Sequence, residues 1–200
     1  MPDVSDTQYN ATPARDASAA RSHASGNFFP PGLSVRAIRP TDNEAVRALF
    51  IQGQNEIAAG SDNIKLRISV KEYTDSCLHE DMERPSVHYS KPGRKFWVLE
   101  SQERKIVAMC ALDDHLSEPG IGLLRRLVVA PQFRRKGVAR LLVQRTEQYA
   151  MKQGRPGIRL FTSELQPGAR ALYESLGYKL RSTGKFGPIT VFEYEKPFRS

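Results

Sequence analysis

One stretch, residues 123–150, combines a strand, a basic turn and a helix, and it constrains the fold more than any other. An apolar run at residues 127–130 stops at Pro131, and the turn at residues 134–139 (RRKGVA) leads into a helix with one apolar face, formed by Val138, Leu141, Leu142 and Tyr149. Amides at a helix start have no intrahelical acceptor, the helix dipole is positive there, and glycine lets the backbone approach a ligand closely. The stretch therefore predicts a pyrophosphate-binding element.

Length and composition predict one folded domain behind a tail. Residues 1–32 are rich in small and polar side chains without an apolar period, which predicts a disordered tail, and residues 33–200 would form the domain. No apolar run reaches the roughly 18 residues of a membrane-spanning helix, and no secretory signal is recognisable at the start. Cys77 and Cys110 have no metal-ligand spacing, so neither a disulfide framework nor a metal site is predicted, and a reducing, cytoplasmic location fits best.

The positive charge of the chain is concentrated in the same region as the predicted phosphate element. The net charge is +8, and residues 123–160 contain ten basic residues against one acidic residue, Glu147. A positive field confined to this element suits a multiply phosphorylated small ligand. A nucleic-acid surface would show the same excess, so the charge does not distinguish the two ligands.

The order of predicted elements is strand, helix, helix, three strands, helix, strand, helix and final strands, which predicts an α/β fold with a mixed sheet. Thr41 and Glu44 have the spacing of a capping box at the first helix, and Ile64, Ile68, Tyr73 and Leu78 indicate a second helix. Residues 81–94 are polar with two prolines and predict a loop that acts as a substrate lid. Together with a second loop at residues 113–120, it would wall a substrate pocket.

Two segments, RRKGVA at residues 134–139 and ALYESLGY at residues 171–178, resemble the Gcn5-related N-acetyltransferase (GNAT) family. RRKGVA at residues 134–139 is similar to the family's (Q/R)-x-x-G-x-(G/A) turn, and VVAP before it is similar to the family strand that ends in V-x-P. ALYESLGY at residues 171–178 is similar to the later A-x-x-L-Y-E-x-x-G-(F/Y) segment. The resemblance covers roughly residues 33–196. It implies a mixed, mostly antiparallel sheet with helices on both faces and a splayed cofactor-binding strand pair.

The resemblance also implies acetyl-CoA as co-substrate and a role for each matching position. Backbone groups of the strand would pair with the pantetheine arm, at Leu127, Val128 and Val129. The turn would hold the pyrophosphate, through Arg134, Arg135, Lys136, Gly137, Val138 and Ala139. Tyr173 corresponds to the family tyrosine that commonly protonates the leaving thiolate. Gln166 stands where the family usually has Asn, and a similar Gln occurs in the camello-like branch. Members of that branch acetylate cysteine conjugates, aspartate or protein lysines. The apolar membrane hairpin that is common in the branch is not visible in this sequence.

Two assignments stay open from the sequence. Tyr173 shares an apolar face with Leu172 and Leu176, so a packed core tyrosine is a rival to the catalytic acid. The general base is not identified, and the candidates near strand ends or loops are Glu164, Asp113, Asp114, His115 and Glu118.

The predicted function is acetyl-CoA-dependent transfer of an acetyl group to a primary amine. A small molecule such as an amino acid, an amino-acid conjugate or a polyamine is favoured over a protein lysine or N-terminus, because the two loops would form a pocket. A non-catalytic acyl-CoA sensor on the same fold is the alternative from another class. A nucleic-acid partner is not expected, and a homodimer is compatible with the sequence.

Overall fold

The computed structural model describes residues 30–115 and 117–198, so residues 1–29 of the predicted tail lie outside the described residues. The strands are β1 (Leu33–Ala37), β2 (Lys95–Ser101), β3 (Ile106–Asp114), β4 (Gly122–Val129), β5 (Gly157–Ser163), β6 (Lys179–Phe186) and β7 (Ile189–Pro197). The helices are α1 (Asn43–Ala59), α2 (Ile64–His79), α3 (Pro85–His88), α4 (Val138–Lys152) and α5 (Pro167–Ser175). In this described part, no helix has both the length and the apolar character that crossing a bilayer requires.

The strands form one seven-stranded sheet in the order β1-β2-β3-β4-β5-β7-β6. Every neighbouring pair is antiparallel except β4 and β5, which are parallel. That parallel pair is short, because only residues 122–124 of β4 are paired with residues 158–160 of β5. Beyond Leu124 the two strands diverge, which confirms the mixed, mostly antiparallel sheet with a splayed strand pair.

Helices cover both faces of the sheet, as predicted. On one face α4 and α5 contribute Leu142 and Tyr173 to a buried cluster that includes Leu160 of β5. On the other face α1 contributes Phe50 to a second cluster with Met109 of β3. The edge strand β6 is different, because all eight of its residues are exposed and it pairs only with β7.

A β-bulge in β4 lies where β4 leaves β5. Ala111 of β3 opposes Arg125, but Met109 opposes Val128, so two residues of β4 face the single residue Cys110. The first of these two, Arg126, has φ +58°. This left-handed conformation costs a residue with a side chain about 1–2 kcal/mol. A bulge of this kind bends its strand and increases its twist, which accounts for the divergence that follows.

Two local predictions are wrong: the cap of α1 and the lid at residues 81–94. Thr41 does not cap α1: the N-cap is Asp42, whose carboxylate accepts a 2.7 Å hydrogen bond from the Arg39 amide and is paired with Arg36. The second helix predicted from Ile64, Ile68, Tyr73 and Leu78 is confirmed as α2, although Ile64 and Ile68 are exposed.

The predicted lid, residues 81–94, is not an open loop. It contains α3, and Asp81, Met82 and Tyr89 are buried. Met82 and Tyr89 belong to the cluster beneath α1, so the segment is fixed to the core of the domain.

Candidate active site

A cavity of about 480 Å³ opens where β4 and β5 diverge. Strand β4 lines it with residues 124–128 and β5 with residues 161–163, while α5 contributes Gln166, Ala169 and Tyr173. From Arg125 onward the edge of β4 that faces β5 has no strand partner. Its backbone polar groups are therefore available to a ligand, since a strand edge without a neighbour leaves N–H and C=O groups unpaired.

The outer walls of the cavity differ from the prediction. None of the described residues in the ranges 81–94 and 113–120 lines it. The walls come from α1 and α2, through Phe50 and Tyr73, and from the hairpin of β6 and β7, where residues 182–186 line the opposite side. Tyr73 and Phe186 meet edge to face, with ring centroids 6.1 Å apart. Sequence reasoning missed these walls because pocket-facing apolar residues on an amphipathic helix give the same pattern as a core face.

The turn before α4 has the features of an anion cradle. Gly137 is the N-cap residue, has φ +78°, and no side chain caps the helix start. A Cβ on Gly137 would meet no atom within 4 Å, so open space lies over the turn. Arg135 also has positive φ (+60°), and the Arg135 and Lys136 side chains are exposed. Donor amides, a positive helix end and exposed cations together fit a diphosphate group.

The remaining turn residues brace this cradle. The Arg134 guanidinium donates a 2.8 Å hydrogen bond from Nε to the Val129 carbonyl and forms an ion pair with Glu56 of α1. Its side chain therefore ties the turn to β4 and α1. Val138 is buried in the core and Ala139 packs against the same cluster, so both anchor the first turn of α4.

Tyr173 lies in the cavity lining with Leu127 and Val128 of the opposite wall, whereas Val129 lies outside that lining. The tyrosine is 5% exposed and packs edge to face against Tyr178. Its hydroxyl makes no hydrogen bond to any described residue, so it is free to serve a ligand. Burial raises the pKa of the Tyr173 phenol, which therefore stays protonated at neutral pH.

Gln166 is the N-cap residue of α5 and lines the same cavity. Its Oε1 atom accepts a hydrogen bond of 3.3 Å from the Thr162 hydroxyl. The structure thus brings four of the predicted site residues to one cavity: Leu127, Val128, Gln166 and Tyr173.

Two arginines at the floor of the cavity were not recognised as site residues from the sequence. Arg126 forms a two-pronged ion pair with Asp81, and its Nη1 atom donates to the Tyr73 hydroxyl over 2.9 Å. Arg125 lies 3.3 Å from Asp81 and 3.2 Å from Asp113. Burial alone would raise the pKa of Asp81, but the hydrogen bonds and charge of Arg126 outweigh it and hold the pKa below its ordinary value.

These pairs correct the predicted charge distribution. The basic side chains of residues 123–160 do not form one continuous positive field, because five of them are paired with carboxylates from other segments. The pairs are Arg125 and Arg126 with Asp81, Arg134 with Glu56, Arg155 with Asp114, and Arg159 with Glu118. The exposed cations of the turn, Arg135 and Lys136, remain near the phosphate cradle.

Glu193 of β7 is the one carboxylate among the described residues that line the cavity. Burial would raise its pKa, but hydrogen bonds from Ser182 (2.7 Å) and Arg181 (3.2 Å) hold that pKa below its ordinary value. None of the five base candidates taken from the sequence lines the cavity: Glu164, Asp113, Asp114, His115 and Glu118.

The chain belongs to the Acetyltransferase (GNAT) family, whose model matches residues 64–178. It is 38% identical to the N-acetyltransferase family 8 member 3 of Rattus norvegicus over 119 residues, which cover 58% of this chain and 51% of that protein. It is 37% identical to the N-acetylaspartate synthetase of Danio rerio over 110 residues, 54% of this chain and 38% of that protein. The first of these relatives supports the resemblance to the camello-like branch.

Solved structures agree on the fold. The PaiA N-acetyltransferase of Thermoplasma acidophilum, crystallised with coenzyme A, superposes with a TM-score of 0.66 over 83% of this chain and 99% of that one, at 17% identity. The chain spans about half the length of the curated relatives it matches.

Proposed function

We propose that this chain is an acetyl-CoA-dependent N-acetyltransferase that acts on the primary amine of a small molecule. The observation that carries the proposal is the cavity between β4 and β5, which brings the unpaired edge of β4 and the free hydroxyl of Tyr173 together. The anion cradle at Gly137 follows the end of the same strand. Membership of the GNAT family supports the same activity.

The binding roles follow from this arrangement. Amides of Arg135, Lys136, Gly137, Val138 and Ala139 would hold the pyrophosphate, with Arg134 bracing the turn. The free edge of β4 at Leu127 and Val128 would pair with the pantetheine arm, and Val129 would continue that edge toward the turn. Gln166, from the opposite wall, would contact the same arm.

Bound acetyl-CoA would supply an acetyl thioester to the cavity. Amides of the bulged β4 edge would then stabilise the negative charge that develops on the carbonyl oxygen. Tyr173 would donate its phenolic proton to the departing thiolate, because its raised pKa keeps it protonated at neutral pH. Glu193, which is ionised at neutral pH, would attract the acceptor ammonium, whose proton must leave to solvent before the amine can attack.

The charges of the lining favour an acceptor that carries a carboxylate. Arg125 and Arg126 are neutralised by Asp81 and Asp113, and Glu193 is paired with Arg181, so Lys185 is the lining charge without a salt bridge among the described residues. A polyamine would bring several cations toward this lysine, and like charges repel. An amino acid or amino-acid conjugate is therefore the better match, and one relative is an N-acetylaspartate synthetase.

A reducing, cytoplasmic location is part of the proposal. It is supported by the two cysteines, Cys77 and Cys110, which are both buried and both free thiols. Such thiols are typical of proteins that stay in a reducing compartment.

Thiol release from acetyl-CoA tests the activity, across amino acids, cysteine conjugates, polyamines and a lysine peptide. The matched variant is Tyr173→Phe, which removes only the hydroxyl. We expect turnover with an amino acid or conjugate, and a loss of kcat of about 10²-fold in the variant, the lower end of what a general acid contributes. Acetyl-CoA should bind both proteins equally.

Other outcomes would reassign the protein. Turnover of the lysine peptide alone would move the acceptor to proteins. Tight acetyl-CoA binding without turnover of any amine would make the chain a sensor. An unchanged kcat in Tyr173→Phe would leave Tyr173 as a packed core residue.

A further inference from the structure

Arg126 has a backbone conformation that its side chain does not favour. Three described residues other than glycine have positive φ, and of these Arg126 alone lies within a strand. Its φ of +58° occurs in the β4 bulge, directly before Leu127. A conformation of this kind persists only where the surroundings hold it in place.

The surroundings that hold it are a buried ion pair. The Arg126 and Asp81 side chains are 2% and 0% exposed, and two guanidinium nitrogens donate to the two carboxylate oxygens, one of them over 2.9 Å. Phe50 packs under the guanidinium, with 5.1 Å between Cζ and the ring centroid. Asp81 is itself fixed, because the Tyr89 hydroxyl donates to its Oδ2 over 2.5 Å.

We infer that the Asp81–Arg126 pair positions the reacting groups: by fixing the bulge, it fixes the free edge of β4 at Leu127 and Val128, where the thioester would lie. This inference rests on the proposed function. Both residues are positioning residues, since Asp81 lies behind the cavity lining and Arg126 acts through the backbone that follows it. A shift of about 1 Å in such a wall can cost about 10²-fold in rate.

A merely structural ion pair would behave differently. Its loss would lower the fraction of folded enzyme, and kcat per folded molecule would stay constant. A positioning pair predicts a fall in kcat in a protein that is folded and that still binds acetyl-CoA. The experiment therefore needs a variant that removes both charges together, because removing one partner would leave the other charge buried and unpaired.

The test variant is Asp81→Asn combined with Arg126→Met. Asparagine still accepts the hydrogen bond from Tyr89, and methionine fills the volume above Phe50. Arg36 pairs with both Asp42 and Glu100, so the matched control combines Arg36→Met with Asp42→Asn and Glu100→Gln. The Arg36–Asp42 pair is also two-pronged, with contacts of 2.6 and 3.0 Å, and asparagine can still accept from the Arg39 amide. None of the three control residues lines the cavity.

The measurements are Tm, the acetyl-CoA dissociation constant, kcat, the acceptor KM, and hydrogen exchange of the β4 amides that pair with β3 around the bulge. For the test variant we expect a folded protein, an acetyl-CoA Kd within about threefold, faster exchange of these paired amides, and a kcat lowered by about 10- to 100-fold. The control variant should keep its kcat within about twofold, since its ion pair is remote from the β4 edge.

The outcomes separate this inference from the proposed function. A wild-type protein that turns over an amine, with an equally active and folded test variant, overturns the positioning role alone. An equal loss of kcat in the control variant does the same, because the effect would then be general to the fold. A wild-type protein that releases no thiol with any amine overturns both proposals.

Discussion

Replacing Gly137 by alanine should weaken acetyl-CoA binding while it leaves the core intact. Gly137 has φ +78°, where a Cβ costs about 1–2 kcal/mol, but the added atom would meet nothing within 4 Å. The turn can relieve this strain only by rotating its amides away from the phosphate position. A hydrogen bond to a charged group is worth about 1.5–3 kcal/mol, so losing one should raise the Kd by about 10- to 100-fold.

The other end of the same helix provides the control. Gly154 has φ +69°, and a Cβ there would also meet nothing within 4 Å. Gly154→Ala should therefore cost the same strain, and each variant should lose about 2–4 °C in Tm for about 1 kcal/mol. Titration calorimetry should show the loss of acetyl-CoA affinity in Gly137→Ala alone. S-acetylpantetheine, which lacks the pyrophosphate, should bind both variants equally. A Kd for acetyl-CoA that is the same in Gly137→Ala and Gly154→Ala would refute the phosphate assignment.

Three further predictions address the core, the buried pair and the acceptor. Leu142→Ala, at a fully buried position, should lower the free energy of unfolding by about 2–5 kcal/mol in urea titrations, and a loss below about 1 kcal/mol would contradict the core assignment. The pKa of Asp81 is lower in the folded protein than its ordinary value, so its contribution to stability is present above that value and is lost as the pH falls through the folded pKa. The urea midpoint of the wild type should therefore fall more steeply between about pH 5 and pH 3 than that of Asp81→Asn; parallel curves would exclude this linkage. Lys185→Gln should raise the KM of an amino acid several-fold and leave that of the corresponding decarboxylated amine unchanged, whereas equal changes in both would argue against carboxylate recognition.

The strand, turn and helix around Gly137 were predictable because their signals are local. The sequence places four signals next to one another: an apolar run, a proline, a basic turn with glycine, and a 3.6-residue period. The structure has β4, the turn and α4 in that order. The early end of the pairing between β4 and β5 also agrees with the splayed strand pair that the family resemblance implies.

The floor of the cavity was not predictable, because its charges are neutralised over long sequence distances. Arg126 is 45 residues from Asp81, and nothing near either residue indicates the pairing. In the sequence Arg125 and Arg126 belong to a positively charged segment. In the structure Arg126 is buried and Arg125 is half-buried, and both are paired with carboxylates. The walls of the cavity were not predictable for the same reason. Tyr73 of α2 and Phe186 of β6 are in contact, although they are far apart in the sequence.

Because β6 is exposed, its side of the cavity tolerates substitution better than the β4 side does. Residues 182–186 line the side of the cavity where the proposed function places the acceptor. They belong to an exposed strand, so substitutions there remove little buried apolar surface. The β4 wall has no such freedom, because Leu124 and Arg126 are buried in the domain. Under the proposed function, substitutions in the hairpin would change the acceptor preference without altering the side that binds acetyl-CoA, and a combinatorial library confined to β6 would test this.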